Sequence, residues 1–250
     1  MYIVGDGGKY MANPILNNKF IEQERILEGQ PMTINGTIQI TMFLGVLLVL
    51  FAALVWSKYT SGYTDLAMML TGIGVIGGFI AALIVAFTKN KILVPIYAAL
   101  EGMALGGISA TFEAEIPGIV VQAVAGTFAA LFTMLFLYRQ KIITCTDKFR
   151  SVIFITTASI AVIYLVDLIG SFFGLHVPLI NSVSPLGILV SLVVTAVAAL
   201  NLIIDFDFIE RGAQAMLPKN YEWFGAFGLM LTLVWVYLEI LRLLAKINKR

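Results

Sequence analysis

Cysteine and histidine each occur once, as Cys145 and His176. A lone cysteine excludes an internal disulfide and any cysteine-rich metal site. A lone histidine, which falls in an expected outer loop, excludes a His-based zinc motif. Charge is also scarce, at 12% of 250 residues, about half the share usual in soluble domains. The net charge of +1 leaves no electrostatic footprint for nucleic acid. Neither HExxH nor GxSxG occurs, so two common hydrolytic chemistries lack their residues. A hydrolytic dyad of membrane aspartates is the enzymatic reading left open; the expectation is a protein that is not an enzyme and needs no cofactor.

Apolar residues fill the space that charge leaves, at 60% of the chain. They gather into seven runs, about Ile38–Trp56, Leu66–Thr88, Ile92–Phe112, Ile119–Tyr138, Ser151–Phe173, Leu186–Ile204 and Phe224–Leu244. Each is long enough for a hydrocarbon core of about 30 Å. The expected fold is therefore all-α, a polytopic membrane protein of seven transmembrane helices. Residues 1–35 are expected to form a polar, cytoplasmic N-terminal arm without a secretory leader, and residues 36–250 the seven-helix membrane domain. Lys89-Asn-Lys91 and Pro117-Gly118 leave room only for tight hairpins, so neighbouring spans run antiparallel. Trp56, Tyr59, Tyr63, Tyr138, Tyr221 and Trp223 sit at span ends, where amphipathic rings favour the headgroup layer.

Lysine and arginine set the expected orientation. Lys9, Lys19, Arg25, Lys89, Lys91, Arg139, Lys141, Lys148, Arg150, Arg211 and Lys219 fall on one side, against Lys58 in the opposite loops. The N-terminus is expected to be cytoplasmic. Arg242, Lys246, Lys249 and Arg250 oppose that rule if the last run crosses fully. A re-entrant last helix would remove the conflict; seven crossings are the expectation.

Several motifs have plain explanations. Gly72-Ile-Gly-Val-Ile-Gly77 spells a dinucleotide fingerprint but lies inside an apolar span with no preceding strand. Gly74/Gly78 and Gly102/Gly106 have the spacing that lets helix backbones approach closely. Asn35-Gly-Thr37 matches a glycosylation acceptor but abuts the first span on the expected cytoplasmic side.

The acids within the spans, or at their ends, are the candidate functional residues: Glu101, Asp167, Asp205, Asp207 and Glu239. An ionisable group there costs at least about 2.5–3.5 kcal/mol on insertion scales. Asp207 can pair with Arg211 at i+4. Asp205, two positions earlier and so about 200° around the helix, then turns into the bundle. Glu239 has Arg242 at i+3, so it is either a snorkelling ion pair or functional. Glu101 lies near mid-membrane with Tyr97 one turn earlier, and reads equally as a packed neutral carboxyl or a station on a path. Asp167, near the end of span five, reads as structural or as part of a vestibule.

Tyr97 to Ser109, Asn201 to Glu210, and Glu222 through Ala245 resemble the Bax inhibitor-1 family, and its bacterial branch more closely. The likeness covers about residues 36–246. It implies seven helices with the C-terminal helix central. It further implies a pH-sensitive calcium leak channel gated by a buried acidic pair, which the local patterns place at Asp205 and Glu239. Relatives latch the first acid with an arginine on helix two. Leu66–Thr88 has none, and Arg242 is the candidate substitute on spacing.

Two carboxyls close together in an apolar interior resist double ionisation. A proton shared by Asp205 and Glu239 would tie their helices together, and its loss would present oxygens to a hard cation such as calcium. The expected partners are thus the lipid bilayer, calcium as permeant ion, and protons. Two other functions use the same residues: a proton-coupled transporter, or a non-conducting membrane regulator that binds partner proteins. A bacterial inner membrane is the expected location.

Overall fold

The computed structural model describes residues 30–249 except 172, 175, 176, 178, 179 and 181. His176 and most of the polar arm therefore lie outside the described residues. The chain forms α1 (Ile34–Thr60), α2 (Thr64–Thr88), α3 (Leu93–Glu115), α4 (Ile119–Arg139), α5 (Asp147–Ser171), α6 (Pro185–Gln214) and α7 (Tyr221–Asn248). All seven are long and apolar enough to cross a membrane. The protein is an all-α integral membrane protein, as expected.

Most helices outrun their apolar stretches because caps and surface ion pairs, rather than hydropathy, decide where a helix stops. Thr33 caps α1, its Oγ1 accepting the Gly36 N–H at 2.9 Å. Ser184 caps α6 by accepting from Gly187 N at 3.2 Å, with Pro185 at the first helical position. At its other end α6 runs well past Ile204 to Gln214, carried by Asp207, whose carboxylate lies 2.9 Å from Arg211. Gly118, at φ 85°, makes the tight α3–α4 turn that a side chain would strain. The Glu113 carboxylate closes that turn, accepting from the N–H groups of Gly118 at 2.6 Å and Val120 at 3.1 Å.

Backbone proximity is permitted by the glycines the spacing singled out. A Cβ on Gly74 would stand 2.5 Å from Ala104 N; on Gly102, 2.3 Å from Leu48 O; on Gly106, 2.4 Å from Ala52 O. These contacts bring α1 and α2 against α3. α7 packs against α1, α3, α4 and α6, which makes it the central element. α5 is peripheral, with its backbone close to α6 alone. Its outward face is a sheet of side chains such as Phe154, Ile155, Leu165 and Ile169, all exposed to the surrounding lipid phase.

Both ends of α7 are pinned. At the face holding residue 30, Glu222 Oε1 accepts from Thr33 N and Thr33 Oγ1, both at 2.9 Å. Beside it Met32 N donates to Leu217 O at 2.7 Å. At the opposite face Lys249 Nζ meets Glu115 Oε2 at 2.6 Å, and Glu115 is the last residue of α3. An unbroken helix of 28 residues spans about 42 Å. α7 is a full crossing, not a re-entrant segment.

Candidate functional site: a polar seam between α5, α6 and α7

Beyond Glu222 in its first turn, the buried polar groups of α7 repeat every seven residues: Thr232, Glu239 and Lys246, at 7%, 1% and 6% exposure. A seven-residue step turns a helix nearly twice round, so the three share one stripe at intervals of about 10.5 Å. α5 repeats the device with Arg150, Thr157 and Tyr164. α6 supplies Asn201 and Asp207 toward α5, and Ser191 and Asp205 toward α7. Polar clusters from the three helices thus stand at successive depths from one face of the bundle to the other.

Asp207 stands at the face that holds the α4–α5 connection. Its carboxylate accepts from Arg150 Nη2 at 2.7 Å and from Arg211 Nε at 3.0 Å, and Arg211 also reaches the Cys145 carbonyl at 3.4 Å. The i+4 pairing with Arg211 expected from the sequence is present, joined by a second arginine from α5. Cys145 lies buried beside this cluster. Burial pushes its thiol above the usual range, and the Asp207 charge adds to that, while the adjacent Arg150 opposes it.

Deeper in the bundle comes Asp205. Its neighbour across the α6–α7 contact is Thr232, whose hydroxyl faces the carboxyl, and the absent side chain of Gly228 leaves room for Oδ1. Oδ2 is buried without a hydrogen-bond partner. Next, Asn201 Nδ2 donates to Thr157 Oγ1 at 2.9 Å and bridges α6 to α5.

Glu239 is one seven-residue step beyond Thr232. Its Oε1 accepts from Tyr164 at 2.9 Å, Arg242 Nη1 at 3.0 Å and Trp235 Nε1 at 3.2 Å. Its Oε2 is buried and unpartnered. Arg242 also donates to the Tyr164 hydroxyl at 2.8 Å and lies 4.9 Å from its ring centroid. Beyond this cluster Lys246 reaches Ser191 Oγ at 2.7 Å.

Several of the residues singled out in the sequence stand apart in the structure. Asp205 and Glu239 do not meet: the residue opposite Asp205 is Thr232, and α7 carries Glu239 two turns further on. A proton shared between the two carboxyls, or one calcium held by both, has no contact to sit on here. Arg242 is not a latch on Asp205, because i+3 geometry and Tyr164 commit it to Glu239. Glu101 stands apart from the seam, between α2 and α3, where Gly78 makes space for its Oε2. Asp167 accepts from Val177 N at 2.7 Å, which ties the end of α5 to the connection that follows it. Among the described residues no three His, Cys, Asp or Glu side chains cluster to hold a metal.

Sequence reasoning missed Thr232, Tyr164, Arg150 and Lys246. The seven-residue spacing on α5 and α7 was the legible signal. Two cavities lie elsewhere. One of about 890 Å³ opens beside Thr33, Lys91 and Glu222. The other, of about 580 Å³, sits between α1, α3, α4 and α7, over the 2.6 Å Ser109–Tyr237 hydroxyl pair.

A family model described as Bax inhibitor 1 like matches residues 13–249, nearly the whole chain. The chain belongs to the Bax inhibitor 1 like family. The match takes in every helix and every seam residue. No curated protein and no solved structure matches the chain.

Proposed function

We propose that this Bax inhibitor 1 like protein is a proton-sensitive cation leak channel, with calcium among its cargo, whose path follows the α5–α6–α7 seam. The observation that carries the reading is Asp205, a membrane acid with one buried, unpartnered oxygen and a single hydroxyl for company. Burying a charge without a partner costs several kcal/mol. Protonated, Asp205 is neutral and sits quietly against Thr232, holding α6 to α7. Ionised, it requires water or a cation beside it, and that demand separates the two helices and offers oxygens to a hard cation. Glu239, already paired with Arg242, is a second station further along rather than the other half of a dyad.

The face that holds residue 30 is the cytoplasmic one in this reading, of a bacterial inner membrane. Lys89, Lys91, Arg139, Lys141 and Lys148 crowd that face, as short cytoplasmic loops do.

The test is calcium entry into dye-loaded proteoliposomes from mildly acidic to mildly alkaline pH. Wild type should leak faster as pH rises, and Asp205→Asn should abolish that dependence while Glu239→Gln changes the rate more than the pH profile. No leak at any pH from correctly folded protein would move the assignment to a non-conducting regulator. Saturation and countertransport would move it to a proton-coupled transporter.

A further inference from the structure

Lys246 is nine-tenths buried in the final turns of α7, and nothing in the gating scheme uses it. Its ammonium is held by three neutral oxygens: Ile180 O at 2.5 Å, Ser191 Oγ at 2.7 Å and Gly187 O at 3.4 Å. None belongs to a carboxylate. Among the described residues its charged neighbours are Arg242, one turn back on α7, and Glu239, two turns back, where Glu239 is already engaged by that arginine. A structural salt bridge would have placed a carboxylate at the ammonium. Here the site is a set of carbonyl and hydroxyl oxygens, which is how proteins receive a cation that has shed its water. An ammonium bearing three donors satisfies such a cage fully.

Position gives the cage its meaning. Ile180 lies in the α5–α6 connection, Gly187 and Ser191 in the first two turns of α6, and Lys246 on the α7 stripe that carries Thr232 and Glu239. The cage therefore closes the seam at the face opposite residue 30. A cation moving along the seam past Asp205 and Glu239 meets a positive charge lodged at the exit.

We infer that Lys246 is a tethered cation plugging the exit of the seam, seated in an oxygen cage that accepts a free monovalent cation once the ammonium withdraws. The neutral donor set selects the class. Calcium takes six to eight oxygens, commonly including carboxylates, so it passes this cage without settling, whereas potassium or sodium can occupy it. The placement of the plug rests on the proposed path; the chemistry of the cage does not.

Two readouts separate those dependences. Lys246→Met keeps the apolar stem and removes the charge; in proteoliposomes it should raise the cation leak about tenfold or more, the worth of one charge-assisted hydrogen bond. Ser191→Ala removes one cage oxygen with the lysine intact, should give a smaller increase, and stands in if Lys246→Met does not fold. In detergent, potassium or sodium chloride should raise the melting temperature of Lys246→Met above that in N-methylglucamine chloride of equal ionic strength, because a bound ion stabilises the fold. Wild type, its cage filled, should show no such difference. A wild-type leak that neither variant accelerates overturns the plug. Equal melting of Lys246→Met in all three salts overturns the cage. If wild type does not leak at all, the channel reading fails and the melting comparison decides the cage alone.

Discussion

The hydroxyl of Tyr164 donates to Glu239 Oε1 across 2.9 Å and so fastens α5, a helix otherwise packed on α6 alone, to the centre of the bundle. Because its partner carboxylate is 1% exposed and its own oxygen accepts from Arg242, the bond is shielded from water and from salt.

Tyr164→Phe should cost about 1 kcal/mol, in the range measured for hydrogen bonds between membrane helices. Thermal or SDS unfolding in detergent measures the loss. Hydrogen exchange should rise along α5 and stay unchanged along α3; a uniform rise would mean that the bond does not serve α5 in particular.

The pairing of Asp205 with Thr232 rather than Glu239 is testable by double-mutant cycles. Asp205→Asn combined with Thr232→Val should show a coupling of about 0.5–1.5 kcal/mol, as residues in contact do. Asp205→Asn combined with Glu239→Gln should be additive within about 0.5 kcal/mol, as separated sites are. The reverse ordering would restore the acidic dyad.

Cys145 reports on the Asp207 cluster. Burial and the Asp207 charge hold its thiol above the ordinary range, so at neutral pH less of it is thiolate than in the unfolded chain. Maleimide labelling of native protein should therefore be slow and should accelerate as pH rises. Asp207→Asn removes the neighbouring negative charge and the anchor of both arginines, and should speed labelling at fixed pH. An unchanged rate would mean that the cluster does not shield the thiol.

Gly102→Val places a side chain where the α1 backbone already stands, 2.3 Å from Leu48 O at the Cβ alone. Overpacking of this kind costs about 1–3 kcal/mol or more, and backbone cannot move aside as a flexible side chain can. The variant should lose its monodisperse peak in size-exclusion chromatography. Gly72→Ala, with open space at the Cβ, should keep it.

Hydrophobic content and run length alone determined that seven helices cross a membrane, because a chain with so little charge has no other way to hide its surface. The small-residue spacing of Gly74, Gly102 and Gly106 announced close backbone approach, and i+4 and i+3 offsets announced the Asp207–Arg211 and Glu239–Arg242 pairs. These are local facts, carried by helix geometry along one strand of sequence. What faces what across helices is not local. That Asp205 meets Thr232, that Arg150 joins Asp207, that Tyr164 caps Glu239 and that Lys246 finds oxygens of α6 all depend on the axial offset of antiparallel helices, set by the caps at Thr33 and Ser184 and by the lengths of the connecting loops. An offset of two turns separates two acids that both lie within the membrane, and only the tertiary structure could decide it.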